Sequence, residues 1–202
     1  HTSSSPSDTR FIAAAVTRAD IEDTVLANGT LQAFKQVSVG AQVSGQVKSL
    51  KVKLGDTVRK GDLVAEIDSQ SQQNSLRSAE ASLASLQAQL RSAQATLAQN
   101  ELSLRRQQQM RDADASSQAD LEAAQATALT SRASVESLRA QVVEAGVTVD
   151  TAKINLGYTR IASPIDGQVV AIVTEAGTTV NANQSTPTII IVAQVDKMTV
   201  KA

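Results

Sequence analysis

Side chains able to do covalent or metal chemistry are scarce in this chain. It has no cysteine, which excludes thiol nucleophiles, thiolate metal sites and disulfides. Its single histidine is His1, at the terminus, so no interior position offers an imidazole base or ligand. No Ser/His/Asp set can be assembled, no glycine-rich run could cradle a phosphate, and no carboxylate pair stands in a recognisable catalytic context. The expectation is a protein with no catalytic, cofactor-binding or metal-binding residues. Function must then lie in what the chain touches, and in the elements that position those contacts.

Composition narrows the architecture. The 202 residues are 42% apolar, yet aromatics are limited to two Phe and one Tyr. Ala, Leu and Val supply almost all the apolar content, which suits slender helix pairs and small sheets better than one thick core. A formal net charge of −1 gives no electrostatic footprint for nucleic acid. No apolar run approaches the roughly 18 residues needed to cross a bilayer. Residues 1–10 are Ser/Thr-rich and read as a flexible lead-in.

Glycine and proline divide the rest. Glycines at 29, 40, 45, 55 and 61 are followed by none until Gly146, and proline is absent between Pro6 and Pro164. The intervening stretch is rich in Ala, Leu, Gln, Ser and Arg, a long-helix composition. Leu76, Leu83, Leu90, Leu97 and Leu104 fall seven apart, with Ala79, Leu86 and Ala93 three residues after the first three. Downstream, Leu121, Ala128, Val135, Val142, Val149 and Leu156 repeat the spacing, with Ala124, Ser131, Leu138, Ala145 and Ala152 as the second row. Sustained a/d rows of this kind specify a coiled coil. The polar stretch 112–117 joins two arms of matching length, and Ser117 with Asp120 forms a capping-box-like start for the second helix. The prediction is an antiparallel hairpin over 69–156, about 60 Å long for about 40 residues per arm. Gly157 is expected to supply the left-handed residue that ends its second helix.

The flanks repeat one another. Val37, Val39, Ala41 and Val43 alternate as a strand should. Ser44-Gly45-Gln46-Val47 recurs as Asp166-Gly167-Gln168-Val169; Gly55 and Val58 recur as Gly177 and Val180. Two short strand-rich halves can close a core only by pairing with each other. The helices are therefore predicted to leave and return at one point on a small sandwich.

The run Gly55-Asp56-Thr57-Val58-Arg59-Lys60-Gly61-Asp62-Leu63-Val64-Ala65-Glu66-Ile67-Asp68 resembles the biotinyl/lipoyl signature, and Ala162-Ser163-Pro164-Ile165-Asp166-Gly167 is similar to the motif opening its other half. A carrier domain of that type presents an acceptor Lys on the turn between halves. Here Asp68 runs into the coiled coil, and the first Lys after Lys60 is Lys153, which argues against a lipoyl or biotinyl carrier. A lipoyl sandwich split by a helical hairpin resembles the periplasmic adaptor, or membrane fusion protein, family. Gly40 to Val47 and Asp150 to Ile161 look like its branch that works with ABC transporters in macrolide and siderophore export.

The resemblance implies an α+β fold: lipoyl halves at 36–68 and 157–194, the hairpin between them, and the beginnings of a β-barrel domain at 11–35 and 195–202. It implies a periplasmic protein anchored to the inner membrane by a segment upstream of His1, with further domain beyond Ala202. The implied partners are an inner-membrane ABC transporter, a TolC-like outer-membrane channel and further copies of the chain, as a hexamer; adaptors for RND pumps or type I secretion are the neighbouring alternative. Family members touch the channel through an Arg, a Leu four residues on and a Ser seven further, and Arg106, Met110 and Ser117 occupy that spacing, with Met replacing Leu. Arg offers a multi-donor fork, Met an adaptable apolar knob and Ser a hydroxyl. The ring-lining Gln of that branch falls on Ala176, beside Glu175, so a Gln-based valve is not implied here.

Overall fold

The computed structural model describes residues 34–195, with two compact units divided near residues 67 and 160. Expected barrel strands in 11–33 and 196–202 lie outside the described residues.

The first unit is a sandwich of eight strands: β1 (Phe34–Gly40), β2 (Gly45–Leu50), β3 (Thr57–Val58), β4 (Leu63–Ile67), β5 (Arg160–Ala162), β6 (Gly167–Ile172), β7 (Thr179–Val180) and β8 (Thr188–Val195). They form two four-stranded sheets, ordered β1-β8-β6-β3 and β5-β4-β2-β7. The repeated motifs of the sequence are equivalent here: β2 and β6 share one inside–outside pattern, as do β3 and β7.

Each half lends its short strand to the other. β3 pairs with β6, and β7 pairs with β2. The exchange is held by duplicated bonds. Gly55 N–H donates to the Val169 carbonyl at 2.8 Å, and Gly177 N–H to that of Val47 at 2.7 Å. Gln168 Nε2 donates to the Gly55 carbonyl at 3.0 Å, and Gln46 Nε2 to that of Gly177 at 3.2 Å. Lys60 N–H reaches Asp166 Oδ1 at 2.7 Å, and Ala182 N–H reaches Ser44 Oγ at 2.8 Å. Gly55 and Gly177 turn the chain at φ of 92° and 93°, a region closed to most side chains. The shared core includes Val47, Val64, Val169, Ile189, Ile190 and Val192, all fully buried. With so little bulk per residue, neither half could exclude water alone; interlocking lets small Val and Ile side chains close one core.

The second unit is the hairpin, α1 (Gln70–Asp112) and α2 (Gln118–Gly157), inserted between strands β4 and β5, which are antiparallel neighbours. Its 43-residue first arm spans about 64 Å. Ala128, Val135, Val149 and Ala152 of α2 are buried, as is Ala79 of α1. Near the root, Ala79, Val149 and Ala152 pack with Leu76 and Leu83. Small Ala knobs allow close helix approach, and the seven-residue repeat keeps the same face inward along both arms. In the third of the hairpin nearer the tip, the seam turns polar: Asn100 Nδ2 donates to Ser131 Oγ, and Glu101 meets Arg132 at 3.4 Å.

Gly157 does not end α2 in the left-handed region, as the sequence suggested; it is helical, and Tyr158 caps at φ −66°. The buried Thr159 does the work instead. Its backbone N–H and its hydroxyl both donate to the Leu156 carbonyl, at 3.1 and 2.6 Å, closing the helix end without a left-handed residue.

Candidate partner-binding tip

The turn between α1 and α2 is five residues, Ala113 to Ser117, and each end is closed by a different device. At the end of α1, Asp114 N–H donates to the Arg111 carbonyl at 3.0 Å and Ala115 N–H to that of Met110 at 2.7 Å. This is the Schellman arrangement, with Asp114 at φ 58° where glycine is usual. Asp is among the few side chains that accept this conformation. At the start of α2, Ser117 Oγ accepts from Asp120 N–H at 3.1 Å, as the sequence spacing predicts.

Two further residues tie down the loop, and the sequence reading missed both. Arg111 Nε donates to Gln118 Oε1 at 3.2 Å and its Nη1 to the Ser116 carbonyl at 3.4 Å. Ser116 Oγ donates to Gln107 Oε1 at 2.6 Å. Arg111 and Gln107 carry no motif; their role emerges only when the turn folds back over α1.

Arg106 and Met110 lie on one exposed stripe of α1, four residues and about 6 Å of rise apart. Arg106 has no hydrogen-bond or ion-pair partner among the described residues, so its guanidinium donors face outward. Met110 is 36% exposed, an apolar side chain left partly uncovered beside a charged one. Ser117 differs. One lone pair of its oxygen is taken by the cap, leaving the hydroxyl proton and a second lone pair for an outside partner. The geometry thus places Arg106 and Met110 on one exposed stripe and gives Ser117 a structural task. Replacing Ser117 with Ala is expected to destabilise the start of α2 by about 1 kcal/mol. Amide exchange at Asp120 and Leu121 measures this directly, and unchanged protection would show that the cap contributes nothing.

No described helix is long and apolar enough to cross a membrane. Ala176 and Glu175 sit in the exposed turn before β7, where the Glu175 carbonyl accepts from Thr178 N–H at 3.3 Å.

A lipoyl-type sandwich whose two sequence halves are interlocked and separated by an antiparallel helical hairpin defines a barrel-sandwich hybrid. A family model described as "RND MFP, barrel-sandwich hybrid domain" matches residues 35–192, and the chain belongs to that family of membrane fusion proteins. It is 40% identical over 183 residues to the macrolide export protein MacA of Escherichia coli O157:H7, covering 91% of this chain and 49% of that protein. It is 43% identical over 188 residues to the pyoverdine export membrane fusion protein PvdR of Pseudomonas putida, covering 93% and 48%. The crystal structure of MacA from Actinobacillus actinomycetemcomitans aligns with a TM-score of 0.75 at 41% identity, covering 81% of this chain and 54% of that one. The chain spans about half the length of the curated relatives it matches.

Proposed function

We propose that the protein containing this chain is the periplasmic adaptor of a tripartite ABC-type export system. In this reading it links an inner-membrane transporter to a TolC-like outer-membrane channel and forms part of the conduit between them. The observation that carries it is the hairpin itself: about 64 Å of helix pair ending in a tightly braced turn beside an exposed Arg106–Met110 stripe. A sandwich with no acceptor Lys between β4 and β5 has no carrier chemistry to perform, and a braced tip is what a connector requires. Likeness to an export protein for macrolides and to one for pyoverdine supports ABC-linked export and leaves both cargo classes as candidates. The adaptor positions and seals; energy comes from the transporter, and this subunit catalyses nothing. It is held at the inner membrane through chain upstream of His1, and several copies, six in the family pattern, surround the conduit.

The test is crosslinking in the periplasm with single cysteines in the full-length protein at Arg106, Met110 and Ser117. Crosslinks to an outer-membrane channel are expected at Arg106 and Met110, less efficiently at Ser117, and not at the control Ser85 midway along α1. No tip crosslink in cells whose export system is active would remove the channel contact from this site.

A further inference from the structure

The charged side chains of the hairpin are confined to one of its two faces. With the seam rows as a and d, positions b and e lie on one flank of each helix and positions c and g on the other. Every charged side chain from Arg77 to Arg105 and from Glu122 to Lys153, Glu144 excepted, falls at b or e. Glu101 and Arg132, both at e, mark that face with their ion pair. The opposite face is neutral. Its g positions read Ser75, Ser82, Gln89, Thr96 and Ser103 on α1. On α2 they read Thr127, Ser134, Gln141, Thr148 and Asn155. All are exposed except the half-buried Ser103. In the register set by Asn100 and Ser131 they stand opposite one another as rungs, from Ser103 with Thr127 near the tip to Ser75 with Asn155 at the root.

Toward the root the neutral face is hollow. A groove of about 1070 Å³ runs between α1 and α2, rimmed by Ser75, Ser78, Ser82, Gln141 and Thr148, with Ala79, Leu86 and Ala145 also lining it. Its cause is the size of the d residues: alanine at 79 and 145 fills less of the space between the helices than leucine would. Ser75, Ser78 and Ser82 make no side-chain hydrogen bond among the described residues, so each hydroxyl keeps a donor and acceptor sites for an outside molecule. The charges on the lining are Asp68 and Glu144, and Asp68 already accepts from the Gln70 N–H at 3.2 Å.

We propose that this face binds an extended neutral glycan, the β-1,4-linked N-acetylated amino-sugar strand of the cell wall. The inference goes beyond the channel contact and rests on the periplasmic placement in the adaptor reading. The chemistry of the face matches that polymer. Hydroxyl and acetamido groups on the ring edges pair with the Ser, Thr and Gln side chains of the rim, and the C–H faces of the rings lie against Ala79, Leu86 and Ala145. A face almost free of ions sheds its water at small cost, whereas the b and e face would have to desolvate charges against a ligand that offers none in return. The repeat matches as well. Rungs recur every seven residues, about 10.5 Å along the helix, close to the length of one disaccharide in an extended β-1,4 strand. Successive disaccharides therefore meet equivalent rungs, and individually weak contacts add along the hairpin. A protein partner is disfavoured, because the exposed large aliphatics Leu102, Leu129, Val143, Val147 and Ile154 all lie at b or f, leaving the neutral face without apolar anchors.

The test is co-sedimentation of the full-length protein with purified peptidoglycan sacculi, stripped of lipid and protein. Binding is expected to persist at high salt, since the face carries almost no charge, and to be displaced by soluble β-1,4-linked N-acetylglucosamine oligomers. Ser82→Arg, which puts a long cation on the rim of the groove, is expected to weaken binding about ten-fold. Gln87→Arg adds the same charge at an e position on the opposite face and should leave binding unchanged. Helix signal at 222 nm, equal in the two variants, shows that both hairpins are folded. Absence of sedimentation, loss of it at high salt, no displacement by the oligomers, or equal behaviour of the two variants would each overturn the glycan face. Cysteine crosslinks from the tip to the channel report on the adaptor reading separately. Their persistence without sacculus binding would reject this face and leave that reading standing.

Discussion

Replacing Gly167 with Ala is expected to disrupt the sandwich, at a cost of about 3 kcal/mol, whereas Gly177 to Ala should cost about 1 kcal/mol. Both glycines belong to the same repeated pattern in the sequence, so sequence alone ranks them together. The structure separates them. A β-carbon on Gly167 would overlap the backbone carbonyl oxygen of Ala193 and stand 2.8 Å from Val192 Cγ1. Those atoms are on β8, which pairs directly with β6 and is itself held by β1 on its far side. A backbone carbonyl between two ladders cannot swing aside as a flexible side chain would, so relief must come from breaking pairing between β6 and β8. At Gly177 nothing lies within 4 Å of an added β-carbon, and only the left-handed φ of 93° is strained. Hydrogen exchange over residues 163–195 reads the difference: broad loss of protection for Gly167→Ala and a local loss for Gly177→Ala. Equal effects would mean that β8 yields more easily than its two neighbours imply.

The same contrast explains what was legible in the sequence. The helical hairpin was readable because Leu76 to Leu104 and Leu121 to Leu156 repeat every seven residues, and burial in a two-helix seam imposes that period directly. The two sandwich halves were readable as a repeat, because Val47 and Val169 or Val58 and Val180 occupy equivalent buried sites. The strand exchange was not. β3 and β7 are two residues each and pair through backbone groups that every sequence possesses. At the tip, Ser117 announced its cap through its spacing to Asp120, but Arg111 and Gln107 act across the turn and leave no local pattern. Asn100 was invisible for the opposite reason: it interrupts the apolar row after Ala93, and only its partner Ser131 shows that the interruption is a paired polar layer. Gly157 was assigned by residue type alone, and the hydroxyl of Thr159 took the place of the conformation expected there. Whether Arg106, Met110 and Ser117 meet a channel depends on a second molecule, which neither spacing nor burial in one chain encodes.

Val135 to Asp is expected to melt the middle of the hairpin, with a cost of about 4 kcal/mol at neutral pH. Val135 is 4% exposed in the seam, one heptad from the buried Ala128 and near the level of Leu97 on α1. The existing polar layer is already engaged, Asn100 bonded to Ser131 and Arg132 to Glu101. An introduced carboxylate would therefore be stripped of water without a partner, and its folded-state pKa would rise above the ordinary carboxylate range. The sign of the pH dependence follows. Below about pH 4 the group is protonated in both states and only the packing loss remains; above that the ionic penalty grows until the raised folded pKa is passed. Stability of the variant relative to the parent should thus fall as pH rises from about 4. Helix signal at 222 nm during urea unfolding measures it, since α1 and α2 hold 43 and 40 of the described residues. A pH-independent loss would mean that water reaches the seam at Val135, and the hairpin would then be a loosely wet pair, unable to hold its tip in register across about 64 Å.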